Sequence, residues 1–558
     1  MEIYTFIFFT SGNLLFTLHL YPHSLNGYIV MTLQDNLRRI ITDNTLTVKQ
    51  KSTYLSLEAE ASLDYVSVPE SVNTAMKAGI ICDMFEGHAP FKPRYVLPDY
   101  AKFLQNGSEY LELPPVADFD DALNALTIIY HHVPSVTNIP VYLGSLDDIL
   151  IDYVQDLTHD EIYRKLKRFW IMLDRTLPDA FMHVNIGPTD NIICRTILKI
   201  DAELKQIAPN LTFMYDPEIT PDDLLRIATS NICECSKPHI ANYPIHAKTY
   251  DEKGFGIVSC YNSLPLAGGA NTLVRMNLKE VAQQVQNSAL FLTETLPHYC
   301  QVMYELIEAR TQFLHEESHF FDSFLVKEGL IEESRFTPMF GIYGMAEAVN
   351  ILIEKDSLEK STTNKENHHA TAVNLYGHDE TANQLGHQIS ATLDHIVKST
   401  PVKYGYNNRA LLHAQGGISL DKDVTPGVRI PYGTEPDPVT HIQALAAHHQ
   451  YYTSGISEIL TIDETVKDNP EAMYQLCKGA LNLGFREFTA NVASNDLVRV
   501  TGYMIKLSDV AVFKEKGSRT NTTWLGAEAS ENTGILNRKP RVACHEQSPI
   551  YTESMYTE

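Results

Sequence analysis

Short apolar runs alternate with segments of helical periodicity along most of this 558-residue chain, and this alternation restricts the fold more than any other feature. The helical spacing of "FDDALNALTIIYHHV" and "HDEIYRKLKRFWIMLDRTL" is separated by runs such as "IPVYLG", which are typical of buried strands. In "TFMYDPEITPDDLLRIATS" a strand precedes a turn and a helix, with Thr220 or Asp222 near the helix N-terminus and Pro221 at its first position. Strands that alternate with helices predict an α/β architecture.

The middle of the chain repeats this unit. The stretch "GFGIVSCYNSLPLAGGANTLVRMNLKEVAQQV" predicts a strand, a glycine-rich loop and a helix that carries Leu278, Val281 and Val285 on one face. "FTPMFGIYGMAEAVNILIE" predicts a second strand followed by a helix. The polar residues 356–371 predict an exposed connection, and the density of proline and glycine at 425–438 predicts a long loop.

Composition excludes several classes of protein. A formal net charge of −25 lacks the basic footprint that nucleic-acid binding requires. Eight cysteines without a CxxC pair are too sparse for a disulfide framework, and this favours a cytoplasmic protein. Two of them form a CxC, which is a weak metal signal. The eight are Cys82, Cys194, Cys233, Cys235, Cys260, Cys300, Cys477 and Cys544.

The N-terminal stretch "IYTFIFFTSGNLLFTLHLY" is apolar enough to suggest a signal peptide or a membrane span. It has no positively charged flank, contains Ser, Gly, Asn and His, and lacks a clear cleavage site. Met31 then begins "MTLQDNLRRIITDNTLTVKQK", an amphipathic start typical of a soluble protein. We therefore expect residues 1–30 to be an upstream extension outside the fold and expect no membrane association. A secretory signal is the alternative.

Near the C-terminus, Gly502 interrupts the otherwise β-branched and apolar stretch "LVRVTGYMIKLSDV". A glycine inside a strand usually marks a bulge, a bend or a close approach of backbones. A second interpretation is chemical, because the α-carbon of glycine can carry an unpaired electron that the neighbouring amide nitrogen and carbonyl share. The glycine by itself leaves both interpretations open.

Two motifs together resemble one family. The segment Arg499–Tyr503, "RVTGY", resembles the RVxGY signature of the glycyl radical enzymes and stands near the C-terminus, as in that family. "IVSCYNSLPLAGGANTLVRMNL" is similar to their mid-chain cysteine loop and contains Cys260. "FTPMFGIYGMAEAV" is similar to the segment that follows the cysteine in the anaerobic ribonucleotide reductases. The resemblance covers nearly all of the chain after residue 31 and is closest to the YjjI-type glycine radical enzymes.

The resemblance implies a fold and a division of the chain. It implies a ten-stranded α/β barrel of the glycyl radical enzyme type, with surrounding helices and a C-terminal glycyl radical loop. Residues 31–479 would form the catalytic barrel, with the cysteine loop near 254–272, and residues 480–558 would form the glycyl radical domain.

The same resemblance implies a reaction. A radical on Gly502 would be relayed to a thiyl on Cys260, which would abstract a hydrogen from an unidentified small organic substrate under anaerobic conditions. Because no cluster-binding cysteine set is visible, a separate iron–sulfur activating enzyme that uses S-adenosylmethionine would install the radical. We expect no permanently bound cofactor and no metal, and a homodimer is compatible with the resemblance. Arg499 and Tyr503 would support the radical loop.

Several positions differ from the better-known branches of the family. Asn262 stands where the dehydratases carry a glutamate two residues after the cysteine. Ser259 and Tyr261 flank the cysteine, whereas pyruvate formate-lyase has two adjacent cysteines. Only Cys544 follows the radical glycine, so the four-cysteine zinc site of the anaerobic ribonucleotide reductases is missing. Elimination, carbon–carbon cleavage and isomerisation therefore all stay open.

Other polar residues are weaker candidates. The loop "RIPYGTEPDP" holds Arg429, Tyr432 and Glu435, which with Asn262 are candidate substrate contacts because such loops often line pockets. "GHDETANQLGHQ" lacks the H-E-x-x-H spacing, so its acidic and histidine side chains favour a solvated helix face over a metal site. Those side chains are His378, Asp379, Glu380 and His387.

The residues alone leave several alternatives open. An isolated cysteine is more often a small buried packing residue than a reactive one. Cys260 could instead be the nucleophile of a hydrolase or transferase without radical chemistry, which would need a histidine within hydrogen-bond reach and would work in air. Cys233 or Cys235 could be the relay thiol in its place. A non-catalytic scaffold or radical donor is a third class, disfavoured by the presence of a cysteine loop in the same chain.

Overall fold

The computed structural model describes the pairs 5–6 and 18–19 and residues 32–62, 66–83, 89–136, 140–177, 181–363, 375–414, 421, 423–500 and 503–519. Within these ranges no helix combines the length and the apolar character that a membrane crossing needs. Met31, Gly502 and Cys544 lie outside the described residues, so the predictions that concern them stay predictions.

Eighteen short strands alternate with helices in the described ranges. They are β1 (Thr5–Phe6), β2 (Leu18–His19), β3 (Ile81–Asp83), β4 (Tyr95–Leu97), β5 (Tyr142–Ser145), β6 (His183–Ile186), β7 (Asn210–Tyr215), β8 (His239–Asn242), β9 (Phe255–Val258), β10 (Asn262–Pro265), β11 (Gly268–Asn277), β12 (Phe336–Tyr343), β13 (Leu411–Ala414), β14 (Leu460–Ile462), β15 (Glu487–Phe488), β16 (Ala490–Val492), β17 (Leu497–Arg499) and β18 (Met504–Lys506).

The α-helices of the described ranges are α1 (Leu33–Thr42), α2 (Val48–Ala61), α3 (Glu70–Lys77), α4 (Tyr100–Asn106), α5 (Phe119–Tyr130), α6 (Leu146–Leu150), α7 (His159–Thr176), α8 (Ile192–Leu204), α9 (Asp222–Cys235), α10 (Tyr243–Ala247), α11 (Leu278–Gln283), α12 (Ser288–Leu290), α13 (Leu296–Glu316), α14 (Phe324–Lys327), α15 (Met345–Thr363), α16 (Glu380–Ser399), α17 (Pro438–Leu445), α18 (Pro470–Asn482) and α19 (Leu507–Lys516).

Two five-stranded sheets form the centre of the molecule. One has the order β15–β8–β7–β6–β5, with β5 to β8 parallel and β15 antiparallel to β8. In the other, β11, β12 and β13 are parallel, and β3 and β4 both pair antiparallel with β11. Their strands are almost entirely buried, as expected for sheets covered on both faces. This is the α/β architecture that the alternating pattern predicts.

Helix α7 shows how the local sequence determines where a helix begins and which of its residues are buried. Thr158 accepts a hydrogen bond from the backbone of Glu161, whose side chain bonds back to the Thr158 amide at 2.9 Å. This capping box satisfies two amide groups that the first helical turn leaves unpaired. One face of the helix is buried, and Trp170 on this face is fully enclosed in the main apolar core. This core joins both sheets to their helices.

The glycine-rich loop predicted at "GGAN" is wrong, because these residues begin strand β11. A Cβ on Gly268 would lie 2.2 Å from the Arg335 carbonyl oxygen, and one on Gly269 would lie 2.0 Å from that of Tyr95. The glycines therefore allow neighbouring backbones to approach closely instead of forming a loop.

Three further boundaries can be compared with the prediction. Residues 356–363 belong to α15, so the exposed connection predicted for 356–371 is wrong there, and 364–371 lie outside the described residues. The long loop predicted at 425–438 is confirmed up to the start of α17. Helix α9 begins at Asp222, and Pro221 precedes its first turn instead of occupying it.

Candidate active site

Cys260 lies at the tip of a β-hairpin. Strands β9 and β10 pair antiparallel, and residues 259–261 connect them; we call residues 255–265 the cysteine hairpin. Ser259 and Tyr261 both have left-handed backbones, with φ values of 44° and 62°. Such conformations are costly for residues other than glycine, and they persist only where the surroundings enforce them. Cys260 is 4% exposed, so its loop is buried as well as strained.

The surrounding structure fixes the cysteine hairpin from two sides. On one side, the Asn185 side chain of β6 donates to the Ile257 carbonyl and accepts from the Ile257 amide, both at 2.8 Å. On the other side, the Ser263 amide donates to the Ser454 carbonyl at 2.9 Å, and the Tyr250 hydroxyl donates to the Ser263 carbonyl at 2.5 Å. The base of the hairpin is therefore held by buried hydrogen bonds.

Three buried side chains on consecutive strands lie beneath the hairpin tip. His183 Nε2 is 2.5 Å from Thr212 Oγ1, which is 3.0 Å from His239 Nδ1. The backbone of Ser259 lies near the His183 ring, whose Nδ1 has no hydrogen-bond partner among the described atoms, and the ring centre of His239 is 4.2 Å from that of Tyr261. Burial first, and then the charge of a nearby arginine, lowers the pKa of both histidines well below the ordinary value. Both rings are therefore neutral near pH 7.

A carboxyl group lies beside this row. Glu487 Oε2 is 4.0 Å from His239 Nε2 and accepts the amide of Ile456 at 3.2 Å. Its other oxygen is 3.7 Å from His246 Nε2. Because burial outweighs the charge of the neighbouring Arg486, the pKa of Glu487 is raised well above its ordinary value. The site thus contains a carboxyl group that favours the protonated form.

The "RVTGY" motif lies in a second hairpin. Strands β17 and β18 pair antiparallel, and the Val500 amide donates to the Tyr503 carbonyl at 3.1 Å; we call residues 497–506 the C-terminal hairpin. The two residues between them, which include Gly502, lie outside the described residues. Asn491 donates to the Arg499 carbonyl and accepts from the Arg499 amide, both at 2.8 Å.

Arg499 connects the two hairpins. Its side chain is fully buried, and its terminal nitrogens donate to Asn210 Oδ1 at 2.9 Å and to the Ser236 carbonyl at 3.0 Å. Its guanidinium carbon is 5.7 Å from the ring centre of Tyr261, the residue after Cys260. The cysteine loop and the residues that precede Gly502 are therefore neighbours.

Arg429, a predicted substrate contact, bonds the protein around the C-terminal hairpin; its contact with substrate stays a prediction. One terminal nitrogen donates to the Val500 carbonyl at 3.3 Å and also to the Tyr432 hydroxyl. The other donates to Ser457 Oγ at 2.8 Å. Arg429 and Tyr432 thus lie next to the site and support its backbone.

The remaining predicted residues occupy different places. Asn262 is fully buried and donates to the Val258 carbonyl at 3.1 Å, while its Oδ1 has no hydrogen-bond partner among the described atoms. Glu435 accepts the Gly433 amide within its own loop at 2.7 Å. Tyr503 packs against Phe181 with ring centres 4.9 Å apart.

The competing cysteines lie in helix α9 instead of a loop. The Cys233 thiol donates to the Thr229 carbonyl at 3.6 Å, and the Cys235 thiol donates to that of Asn231 at 3.3 Å. Burial raises the pKa of Cys233 to about 11 and that of Cys235 to about 12. Both are built into packed surroundings, whereas Cys260 lies at a hairpin tip.

The polar helix segment shows separate local contacts. His378 Nε2 is 2.6 Å from the Thr434 carbonyl, and His387 Nε2 is 3.2 Å from that of Ala444. Asp379 caps α16 by accepting the Ala382 amide at 3.0 Å, one residue before the helix begins at Glu380. In the ranges that the structure describes, no three histidine, cysteine or acidic side chains are grouped so that they could hold a metal.

Sequence reasoning missed the row beneath the cysteine. His183, Thr212, His239 and Glu487 lie on four different strands, so no motif unites them. A signal does exist in "MHVNIG", "LTFMY" and "HIANY", where a polar residue stands inside an apolar strand. Such residues in buried strands need a buried partner.

Comparisons with known proteins identify the same family that the sequence motifs resemble. The profile of the family described as "Glycyl radical enzyme YjjI-like" matches residues 46–541. The uncharacterized protein YjjI of Escherichia coli (strain K12) is 60% identical, covering 93% of this chain and 98% of that protein. A glycyl radical enzyme from Archaeoglobus fulgidus superposes with a TM-score of 0.66 at 12% identity, over 90% of this chain and 88% of that one.

The anaerobic ribonucleotide reductase of Thermotoga maritima superposes with a TM-score of 0.63 at 13% identity, over 87% of this chain and 93% of that one. The fold is therefore the α/β barrel fold of the glycyl radical enzymes. With a family match over most of its length and a relative at 60% identity, the chain belongs to the YjjI-like family of glycyl radical enzymes.

Proposed function

We propose that Gly502 stores the radical of this enzyme and that Cys260 relays it to a small organic substrate. The hydrogen atom of the Cys260 thiol moves with its electron to the Gly502 α-carbon and leaves a thiyl radical. The thiyl then takes a hydrogen atom from the substrate, and the reverse transfers restore the resting radical. The observation that carries the proposal is the contact between Tyr261, beside Cys260, and Arg499 of the "RVTGY" motif.

Generation of the radical is assigned to a partner. A separate iron–sulfur activating enzyme would use S-adenosylmethionine to remove one α-hydrogen from Gly502. The enzyme itself would hold no permanent cofactor and would act in the cytoplasm without oxygen. In this proposal residues 31–479 form the catalytic barrel and residues 480–558 the glycyl radical domain.

The side chains around the hairpins receive different roles. Asn262 is the strongest candidate for a substrate contact, because its buried Oδ1 has no partner among the described atoms. Arg499, Tyr503 and Arg429 support the C-terminal hairpin through their backbone and packing contacts. Glu435 is a weaker candidate contact, since it already caps a turn of its own loop.

The radical on Gly502 can be tested without knowing the substrate. After anaerobic activation, the protein should give an organic radical signal in electron paramagnetic resonance that is split by one α-hydrogen. Protein labelled with α-deuterated glycine should lose that splitting. Air should then cut the backbone at residue 502, since oxygen adds to the α-carbon, and Gly502→Ala should give neither signal nor cut. An intact chain and a silent spectrum after exposure to a competent activase would refute the assignment.

The relay thiol can be tested in the same way. In D₂O the Cys260 thiol carries deuterium, so repeated transfer should place deuterium on Gly502 and collapse the splitting. Cys260→Ser should form the radical yet keep the splitting, because a hydroxyl hydrogen is held too strongly to move. Cys235→Ser is the matched control and should exchange like the wild type. The opposite pattern would assign the relay to Cys235.

A further inference from the structure

We infer that His183, Thr212 and His239 form a positioning row that holds the two strained residues on either side of Cys260, and that Thr212 couples the two halves. The inference rests on the proposed function, since it concerns the transfer between Cys260 and Gly502. It assigns no contact with substrate to these three residues. Their role is to fix the direction of the Cys260 thiol.

The two histidines of the row lie next to the two strained residues of the cysteine loop. The residues before and after Cys260 both have left-handed backbones, a conformation that persists for residues other than glycine only where the surroundings enforce it. The backbone of Ser259 lies near the His183 ring, and the ring of His239 lies against that of Tyr261 with the ring centres 4.2 Å apart. Each strained residue therefore has its own histidine.

Thr212 joins the two histidines through a single hydroxyl. It lies 2.5 Å from His183 Nε2 and 3.0 Å from His239 Nδ1. A hydroxyl can donate one hydrogen bond and accept two, so this one group can bond both ring nitrogens at once. Its removal would leave both histidines without their shared partner.

Glu487 lies on the far side of His239, with its Oε2 4.0 Å from His239 Nε2. Burial raises the pKa of this carboxyl well above its ordinary value. Behind the loop, a Cβ on Gly455 would lie 1.9 Å from the Tyr261 carbonyl oxygen, so the backbone there is also tightly enclosed.

This arrangement matters because hydrogen-atom transfer depends on distance. Reacting atoms must approach to about 3–3.5 Å, and a displacement of about 1 Å can cost about 100-fold in rate. Loss of the row would let residues 259 and 261 relax out of the left-handed region and would turn the thiol away. The fold of the barrel would survive, since the base of the hairpin is held by Asn185 and Ser454.

The test replaces Thr212 by valine, which keeps the shape and removes the hydroxyl. The activated protein is transferred to D₂O, and the rate at which the Gly502 splitting collapses is measured. We expect Thr212→Val to form the radical in normal yield but to exchange at least about tenfold more slowly. Thr212→Ser retains the hydroxyl and should restore the rate. Thr337→Val is the matched control, because Thr337 is a buried strand threonine of the other sheet that donates to the Arg409 carbonyl at 2.7 Å.

The outcomes distinguish a specific effect of the positioning row from a general loss of stability. Exchange at the wild-type rate in folded Thr212→Val overturns the positioning row. An equal slowing in Thr337→Val shows a general effect of barrel destabilisation and overturns it too. If Thr212→Val does not fold, Tyr261→Leu removes the ring that His239 contacts and should slow the exchange in the same way; a wild-type rate there rejects the inference. A wild-type protein without any radical signal refutes the proposed function itself, and the inference with it.

Discussion

The two hairpins of the site are held by the same device in different surroundings. Asn185 exchanges two hydrogen bonds with the backbone of Ile257 in the cysteine hairpin. Asn491 exchanges two hydrogen bonds with the backbone of Arg499 in the C-terminal hairpin, at the same distances. In both hairpins, one buried amide side chain makes the two backbone hydrogen bonds that a neighbouring strand would otherwise make.

The packing around these clamps differs. Val258 and Leu264 of the cysteine hairpin belong to the main core, whereas its Phe255, Ile257 and Tyr261 pack in a small adjoining cluster. The C-terminal hairpin has no residue in the main core and packs in a cluster with Ile207 and Cys235. Besides Asn491, the side chains of Arg499 and Arg429 anchor it.

This difference indicates which partner is the fixed reference. A segment that shares the main core can open only with the barrel, whereas a segment with a separate small cluster can open locally at lower free energy. The cysteine hairpin is thus the rigid half of the pair, and the C-terminal hairpin is the half that the protein can release. A radical site that a second enzyme must reach is best placed on the releasable half.

The largest effect that we expect is a loss of stability in acid, to which the histidines beneath the cysteine hairpin contribute. A neutral buried histidine keeps its pKa low in the folded state, while the unfolded chain takes up a proton below about pH 6.5. Each such histidine therefore removes up to about 1.4 kcal/mol of stability per pH unit as the pH falls. The fully buried histidines with lowered pKa in the described ranges are His183, His239, His246, His413, His448 and His449.

The raised pKa values of Glu487 and Asp147 act in the opposite direction, since these groups hold protons that the unfolded chain releases above about pH 4.5. They offset part of the histidine effect. We expect the free energy of unfolding, from urea titration, to fall by several kcal/mol between about pH 7.5 and about pH 5.5. His413→Gln should reduce the slope by about one proton. A flat profile over this range would show that the histidines are not held neutral.

The two asparagine clamps give a matched pair of substitutions. Asn185→Ala leaves the buried amide and carbonyl of Ile257 unpaired in the cysteine hairpin, which Val258 and Leu264 join to the main core. We expect it to lower the free energy of unfolding of the whole protein by about 3 kcal/mol. Asn491→Ala removes the same two bonds from the C-terminal hairpin. Because that hairpin opens by itself, we expect global stability to change by less than about 1 kcal/mol and the glycyl radical yield to fall. Equal losses of global stability would show that the two hairpins open together.

The sequence was informative where chemistry is local and uninformative where it depends on the fold. The strand-and-helix order around Cys260 and the "RVTGY" motif are contiguous, so the resemblance could identify both. The role of the "GGAN" glycines was missed, because glycine is required there by the close approach of the Arg335 and Tyr95 backbones, which lie elsewhere in the chain. The bond of Arg429 to the C-terminal hairpin was missed as well, because the carbonyl that it contacts belongs to Val500, 71 residues along the chain.

The histidine row escaped prediction for the same reason. His183, Thr212 and His239 meet only because β6, β7 and β8 pair in one register, with Thr212 opposite His239. A shift by one residue would turn one of the three to the other face of the sheet. Sequence alone gives the polar residue in each strand but not the register that joins them.

Arg429→Lys sharpens the comparison on the C-terminal side. Lysine keeps the positive charge but cannot reproduce the forked contacts with Ser457 and the Val500 carbonyl. We expect a local loss of about 1.5–3 kcal/mol, because these are charge-assisted hydrogen bonds. Amide hydrogen exchange in the C-terminal hairpin should therefore be at least about tenfold faster, with exchange in the cysteine hairpin unchanged. Faster exchange in both would show that Arg429 supports the barrel as a whole.

The smallest effect is expected for Tyr432→Phe, and it separates two roles for this loop. The Tyr432 hydroxyl accepts a hydrogen bond from Arg429, which keeps its bonds to Val500 and Ser457 when the hydroxyl is lost. A supporting role predicts a change of less than about 1 kcal/mol in local stability and an unchanged radical yield. A substrate contact predicts a raised KM with unchanged hydrogen exchange, once a substrate is in hand. Glu435→Gln is the matched control in the same loop, since its carboxylate accepts a turn amide that glutamine's oxygen can also accept. A large gain in hydrogen exchange for Tyr432→Phe would mean that Arg429 depends on this hydroxyl to hold the C-terminal hairpin.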